Sequence, residues 1–133
     1  MGISTYLSNK LIDHQNGKTS YTMPTVYVGL SSTTPTAGGS NVTEPSSGSY
    51  ARVTTSGATW TAASAGASTN AADITFPTAS GDWVSGSNLT YAVAYDASSA
   101  GNMLWFSVLG VAKNVLSGDT AKLATGDVSV SLS

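Results

Sequence analysis

The sequence predicts a mainly β protein: an antiparallel β-sandwich, jelly-roll-like in type, with one short N-terminal α-helix. Three observations lead to this fold class. Apolar and polar residues alternate with a period of two in several short runs, such as residues 26–30. Turn residues such as Ser117-Gly118-Asp119 separate the C-terminal runs. Only 9% of the residues are charged whereas 41% are apolar, which suits uncharged β-surfaces around a core and does not suit disorder.

The chain opens with the pattern of an amphipathic helix over residues 4–15. An apolar residue recurs at every fourth position, at Ile3, Leu7 and Leu11. Ser4 is a suitable N-cap, and Gly17 suits the left-handed residue that ends a helix. We expect this helix to pack its stripe on the sheet as a lid. The alternative is a docking arm on a neighbouring subunit.

The rest of the chain has the pattern of short strands, and its 133 residues fit one domain, 1–133. Two long polar loops are expected, at 31–49 and 56–72, and Trp60 indicates a short strand or an anchored tip within the second. The predicted strands are 25–30, 50–54, 74–76, 89–95, 103–109, 112–116, 120–124 and 128–132.

The predicted strand 103–109 is apolar on both faces. Simple alternation puts Met103 and Trp105 on one face and Phe106 on the other. Such a strand is either central in the sandwich or covered by another subunit. Because charges are rare in this chain, Glu44 and Arg52 are each expected to have a partner and to be structural or interfacial. The candidate interface residues are therefore Met103, Trp105, Phe106, Tyr27, Arg52 and Glu44.

The sequence offers no recognisable catalytic or metal-binding motif, and it predicts a protein that is not an enzyme and has no cofactor. His14 is the only histidine and there is no cysteine, so the usual zinc ligand sets and nucleophile–imidazole pairs are not available. The aspartates lie mostly in turn contexts, where a carboxylate hydrogen bonds to the backbone. Three tryptophans could form a sugar-stacking platform, but we favour a core role for Trp60, Trp83 and Trp105.

Charge and hydropathy argue against two classes of partner. Five Lys and Arg residues and a net charge of −2 do not supply the basic surface that nucleic acid requires. The longest apolar run, 103–111, is shorter than the roughly 18 residues of a membrane span. We therefore expect neither a nucleic acid nor a membrane as partner.

Several blocks of the sequence, in this order and spacing, resemble a family of small tailed-bacteriophage virion proteins that are often labelled tail-fibre proteins. The similarity covers essentially the whole chain. It rests on the region around Trp83 and on the segments 11–14, 26–35, 43–45, 50–53, 74–77, 95–97, 101–102, 117–120 and 126–127, which include Thr43-Glu44-Pro45 and Tyr50-Ala51-Arg52-Val53.

The resemblance implies a structural protein of the virion, assembled in the host cytoplasm. Its partners would be other virion proteins, either the major capsid protein or tail proteins, and we expect a homo-oligomer. Because the chain has no shaft-like repeat, the preferred prediction is a capsid decoration or cement protein on the outer surface of the particle. The alternative is a tail fibre or other tail-associated protein that contacts the host surface.

Overall fold

One layer of the molecule is a five-stranded antiparallel sheet with strand order β1-β7-β6-β2-β3. The computed structural model describes residues 2–132. The mainly β, antiparallel prediction is confirmed. The elements are β1 (Gly2–Ile3), α1 (Thr5–Gln15), β2 (Tyr27–Ser31), β3 (Val53–Thr54), a 3-10 turn (Gly57–Thr59), β4 (Ala67–Thr69), β5 (Ile74–Thr75), β6 (Leu89–Tyr95), β7 (Met103–Lys113), β8 (Lys122–Leu123) and β9 (Ser129–Ser131).

The second layer is an irregular antiparallel ribbon made of residues 67–83 and 115–131. Its ladders are β4 with β9 and β5 with β8. Single backbone bonds continue the same pairing between and beyond these ladders. They run from Asn70 N–H to Val128 O, Phe76 N–H to Ala121 O, Ala79 N–H to Asp119 O and Trp83 N–H to Val115 O. The two short ladders are therefore parts of one continuous pairing.

Two turns of the same kind interrupt this ribbon. In each, an Asp side chain accepts the N–H of the residue three positions before it: Leu116 with Asp119 at 3.0 Å, and Ala124 with Asp127 at 2.9 Å. The third residue of each turn is a glycine with positive φ, as a type II turn requires. The turn chemistry predicted from the sequence is confirmed.

A second aspartate braces each of these turns from the opposite segment of the ribbon. Asp82 Oδ1 accepts the N–H of Ser117 at 2.9 Å, and Asp73 Oδ1 accepts the N–H of Thr125 at 3.1 Å. The N–H of each turn glycine also donates to a carbonyl of the opposite segment. The second aspartate lies three residues after that carbonyl in both cases. The same arrangement thus occurs twice along the ribbon.

The core lies between the sheet and the ribbon, so the sandwich prediction is confirmed, with one of its layers reduced to two segments. The sheet contributes small and large apolar residues from β2, β6 and β7, and the ribbon contributes aliphatic and aromatic ones. The fully or almost fully buried members are Val28, Leu30, Ala92, Ala94, Leu104 and Trp105 from the sheet, and Ile74, Phe76, Leu123 and Val128 from the ribbon.

Helix α1 begins and ends where the sequence predicts. The Ser4 Oγ accepts the N–H of Leu7 at 3.0 Å, which is an N-cap bond. At the other end Gly17 has φ +74 and donates its N–H to His14 O, while Lys18 donates to Asp13 O. These two bonds form a Schellman motif.

The predicted apolar stripe of the helix is wrong in detail. Ile3 is not helical; it lies in β1 and pairs with Trp105, because an extended residue before the N-cap can complete backbone bonds to β7. No residue of α1 is fully buried. Tyr6 and Leu7 pack against the core, while Leu11 is half-buried and Ile12 is exposed. The helix is therefore only a partial lid.

Most strand boundaries differ from the prediction, and three differences change the layout of the fold. The predicted strand 103–109 continues as β7 to Lys113 and takes in only the first two residues of the predicted strand 112–116. It continues because the extra residues at the Leu109–Ala112 step are absorbed as an irregularity opposite β6. The predicted strand 50–54 is reduced to Val53–Thr54. The loop 56–72 contains β4 and a backbone bridge between Trp60 and Asn70, which confirms the anchored segment expected around Trp60.

A bulge in β7 overturns the predicted faces of this strand. Ala94 is opposite Trp105 and Tyr95 is opposite Met103, so Leu104 is an extra residue on β7. As a result, Met103 and Trp105 do not share a face. Trp105 belongs to the inter-layer core, whereas Met103 packs with Val93 and Tyr95 on the outer side of the sheet.

Candidate functional site

A largely buried polar cluster is built around the ion pair of Glu44 and Arg52. Arg52 Nη2 lies 2.7 Å from Glu44 Oε2, and Arg52 Nε lies 3.1 Å from Oε1, so the guanidinium binds the carboxylate in a two-pronged fashion. The Arg52 side chain is only 7% exposed and the Glu44 side chain 19%. Arg52 Nη1 also donates to the carbonyls of Ala97 and Ala100, both at 2.8 Å. One guanidinium thus joins the loop after β2 to the turn between β6 and β7.

Tyr50 connects this ion pair to the edge of the sheet. Its hydroxyl donates to Glu44 Oε1 at 2.6 Å and accepts the N–H of Leu30 at 2.9 Å. The bond from Leu30 satisfies a backbone N–H of β2 at a position that the short strand β3 does not reach. Burial, followed by the charge and hydrogen bond of Glu44, raises the pKa of Tyr50 well above its usual value of 10.0. The phenol is therefore a fixed neutral donor.

Arg52 also covers an aromatic ring. Its guanidinium carbon lies 3.7 Å from the centroid of the Tyr95 ring, a cation–π contact. Burial lowers the pKa of Arg52, but the hydrogen bonds and charge of Glu44 outweigh this effect, and the net pKa is raised. Burial raises the pKa of Tyr95, with Glu44 adding to the shift and Arg52 opposing it.

The turn that receives Arg52 is itself fixed by hydrogen bonds. Asp96 Oδ1 accepts the N–H of Asn102 at 2.7 Å, and Asp96 Oδ2 accepts the side-chain amide of Asn102 at 3.0 Å. The carbonyls of Ala97 and Ala100 are therefore presented by a closed turn. We call Glu44, Tyr50 and Arg52, together with the turn that accepts Arg52, the clamp. Their hydrogen bonds to one another and to the backbone join two loops to the sheet.

The six candidate interface residues occupy three different environments. Glu44 and Arg52 are partners of each other in the clamp. Met103 and Trp105 are buried on opposite sides of the sheet. Tyr27 and Phe106 are partly exposed. The proposal that these residues contact another subunit stays a prediction.

The outer face of the sheet retains an open apolar patch, which we call the outer patch and define as Tyr91, Phe106 and Val108. Tyr91 is opposite Val108 in the ladder, and its ring centroid lies 6.3 Å from that of Phe106. Val108 is 54% exposed. A second apolar surface is a groove of about 500 Å³ between α1 and the ends of β1 and β9, where Leu11, Ile12 and Leu132 are among the lining residues.

The tryptophans and the histidine have structural roles. Trp83 and Trp105 are buried, and Trp60 packs edge-on against Trp105 with ring centroids 5.5 Å apart. The favoured core role of the tryptophans is confirmed. His14 Nδ1 accepts the N–H of Tyr21 at 3.0 Å. Within residues 2–132, no group of three or more acidic, histidine or cysteine residues could hold a metal ion, and no helix has the length and apolarity that crossing a bilayer requires.

Sequence reasoning missed several residues that shape the clamp. Gly29 is one: a Cβ atom there would lie 2.5 Å from Glu44 Oε1 and 2.6 Å from the Tyr50 hydroxyl. Glycine inside a strand is a recognised signal of such a close approach. Tyr50 and Tyr95 carried no comparable signal, because their roles depend on how the loops fold back over the sheet.

Taken together, the fold and the clamp define a two-layer β-protein whose framework fixes long loops through buried polar contacts. The family model described as "Podophage GP4 fiber I protein gp80" matches residues 2–131, and the chain belongs to this family. The resemblance to phage virion proteins labelled as fibre proteins is confirmed. No curated protein matches the chain.

Proposed function

We propose that the chain is a non-enzymatic structural component of a phage tail fibre. The observation that carries this proposal is the match of the fibre-protein family to nearly the whole chain, residues 2–131. The fold supports it, because long loops tied to a β-framework offer a stable, uncharged surface for contacts with other proteins. The description of the family supports the tail-associated alternative better than the preferred prediction of a capsid decoration or cement protein.

The carboxylates support a structural role. Asp82 and Asp96 each accept a backbone N–H, from Ser117 at 2.9 Å and from Asn102 at 2.7 Å. Through these bonds both side chains stabilise turns. A screen on glycans, peptides and esters is expected to show no turnover. Turnover that disappears in Asp82→Ala or Asp96→Ala would contradict the proposal.

The partners would be tail proteins and further copies of this chain, in the virion. Phe106 and Val108 of the outer patch are apolar residues of the sheet that remain accessible, and a contiguous exposed apolar patch is typical of a contact surface. We expect a homo-oligomer that uses this patch.

Location on the particle tests the proposal. A phage that carries an epitope-tagged copy of the gene would be purified, labelled with an antibody and imaged, and the copies per particle would be quantified by mass spectrometry. We expect label at the tail in few copies, together with loss of host adsorption when the gene is deleted. Label spread over the head in many copies, with adsorption intact, would replace this proposal with capsid decoration.

A further inference from the structure

Helix α1 ends at the one Asn-Gly pair in the sequence, Asn16-Gly17. We propose that Asn16 is a site of spontaneous deamidation, which modifies the end of this helix over time. This inference does not depend on the proposed function. It rests on the exposure of Asn16, the absence of a side chain on Gly17 and the hydrogen bonds of the helix end.

The surroundings of Asn16 leave its side-chain amide open to attack. Asn16 is exposed, and among residues 2–132 no hydrogen bond holds its side chain. Gly17 follows with φ +74, and a Cβ atom placed there would meet no atom within 4 Å. The backbone nitrogen of Gly17 can therefore approach the Asn16 side chain without steric hindrance from a side chain at residue 17.

The reaction is a ring closure followed by hydrolysis. After Gly17 N–H loses its proton to hydroxide, the nitrogen forms a bond to Asn16 Cγ. The Cγ–Nδ2 bond breaks, and Nδ2 takes up a proton and leaves as ammonia. Water then opens the resulting succinimide at either carbonyl, which gives aspartate or isoaspartate at position 16. Water and hydroxide are the only co-reactants, and no electron transfer takes place.

The helix end controls access to this reaction. In the folded chain Gly17 donates its N–H to His14 O at 3.2 Å, and Asn16 donates its own to Ile12 O at 2.9 Å. Asn16 has ψ 2°, so it must leave the cap conformation before the Gly17 nitrogen can reach Cγ. Deamidation therefore proceeds through fraying of the last helical turn, a local opening that needs no global unfolding.

Aspartate or isoaspartate at position 16 destabilises the end of helix α1. A new carboxylate at position 16 lies at the negative end of the helix dipole. Isoaspartate also lengthens the backbone by one carbon within the Schellman motif. Both changes weaken the turn that positions His14, whose Nδ1 accepts the N–H of Tyr21.

The experiment follows purified protein at mildly alkaline pH and maps its peptides by mass spectrometry over time. Two exposed asparagines, Asn88 and Asn114, are internal controls because Leu89 and Val115 follow them. We expect conversion at Asn16 to be severalfold faster than at either control, and Asn16→Gln to abolish it because its longer side chain closes a ring less readily. Conversion at Asn16 no faster than at Asn88 would overturn the proposal.

A second measurement tests the role of the helix end. The same time course in denaturant frees Gly17 N–H from His14 O, so conversion at Asn16 is expected to be severalfold faster than in the folded protein. Equal rates in the two conditions would refute control by helix fraying.

Discussion

Gly29 lies directly beneath the carboxylate of Glu44: a Cβ atom on Gly29 would be 2.5 Å from Glu44 Oε1. The close approach allows the clamp to sit on the backbone of β2, so a methyl group at this position must displace Glu44 or Tyr50 or distort the strand.

Gly29→Ala is therefore expected to lower the free energy of unfolding by about 1–3 kcal/mol, the usual range for overpacking a buried site. Chemical denaturation of the wild type and the variant measures the loss. Gly110→Ala is the matched control, since Gly110 is also in a strand but a Cβ atom placed on it would meet no atom within 4 Å. A control that loses as much stability as Gly29→Ala would contradict the steric explanation.

Arg52→Met is expected to destabilise the fold by about 3 kcal/mol, the lower part of the range for breaking a buried ion pair, because Glu44 keeps some contact with water. The change leaves the Glu44 carboxylate without its counter-charge and the carbonyls of Ala97 and Ala100 without their donor. Chemical denaturation gives the value.

Lys122→Met supplies the control for that measurement. Lys122 and Asp73 form an exposed pair at 3.6 Å, with side chains about half exposed. An exposed pair contributes roughly 0–1 kcal/mol. Equal losses for Arg52→Met and Lys122→Met would show that burial does not distinguish the two ion pairs.

The buried phenol of Tyr50 predicts a loss of stability in alkali. The folded state raises the pKa of Tyr50 above its usual 10.0, so the folded state holds the proton more tightly than the unfolded state does. The corresponding stability is fully present below pH 10 and decreases as the pH rises above it, by up to about 1.4 kcal/mol per pH unit for one group.

Denaturation at a series of alkaline pH values would measure this slope, and tyrosinate absorbance would follow the ionisation. Tyr50→Phe is the comparison: it is less stable at neutral pH because Leu30 N–H and Glu44 lose a partner, but it should show a shallower alkaline slope. If the slopes of the two proteins match, the alkaline loss does not come from Tyr50.

Ala65→Asn is expected to stabilise the protein by about 0.5–1 kcal/mol. Ala65 and Gly66 form the two-residue turn between Ser64 and Ala67, and both have positive φ (53° and 75°). This is the geometry of a type I′ turn, in which Asn-Gly is the preferred pair and alanine is strained. Thermal denaturation measures the gain. The exposed neighbour Ala63, changed to Asn, is the control, and an equal gain there would rule out the turn as the cause.

Val108→Asp tests the outer patch as a subunit contact. The side chain is 54% exposed, so the monomer should lose no more than about 1 kcal/mol from the lower β-propensity of Asp. Light scattering is expected to show that the variant dissociates at concentrations where the wild type remains associated. Met23→Asp, at an 87% exposed position away from the strands, should leave association unchanged. Unchanged association of Val108→Asp would exclude the patch.

Local chemistry accounts for what could be predicted from the sequence. The ends of α1 follow from Ser4 and Gly17, and the ribbon turns follow from Gly118 and Gly126, because caps and turns depend on a few adjacent residues. Alternation predicted a sandwich for the same reason: a strand covered on one face needs apolar residues at every second position.

Register and long-range pairing could not be predicted in the same way. The extra residue Leu104 reverses the faces of β7 on either side of it, and alternation alone does not show where such a bulge lies. The sequence indicated that Glu44 and Arg52 each need a partner, but their pairing depends on a loop folding back over the sheet. Contacts of this kind are set by tertiary structure.

The ribbon also fixes an order of events during synthesis. Its two segments, 67–83 and 115–131, are separated in the chain by the β6–β7 hairpin. When the hairpin emerges from the ribosome, residues 67–83 have emerged before it with Ile74 and Phe76 still uncovered. These two residues remain without their pairing partners until residues 121–123 have emerged. Closing the sandwich is therefore the last step of a fold rich in long-range contacts, and the nascent chain is most prone to aggregation just before that step.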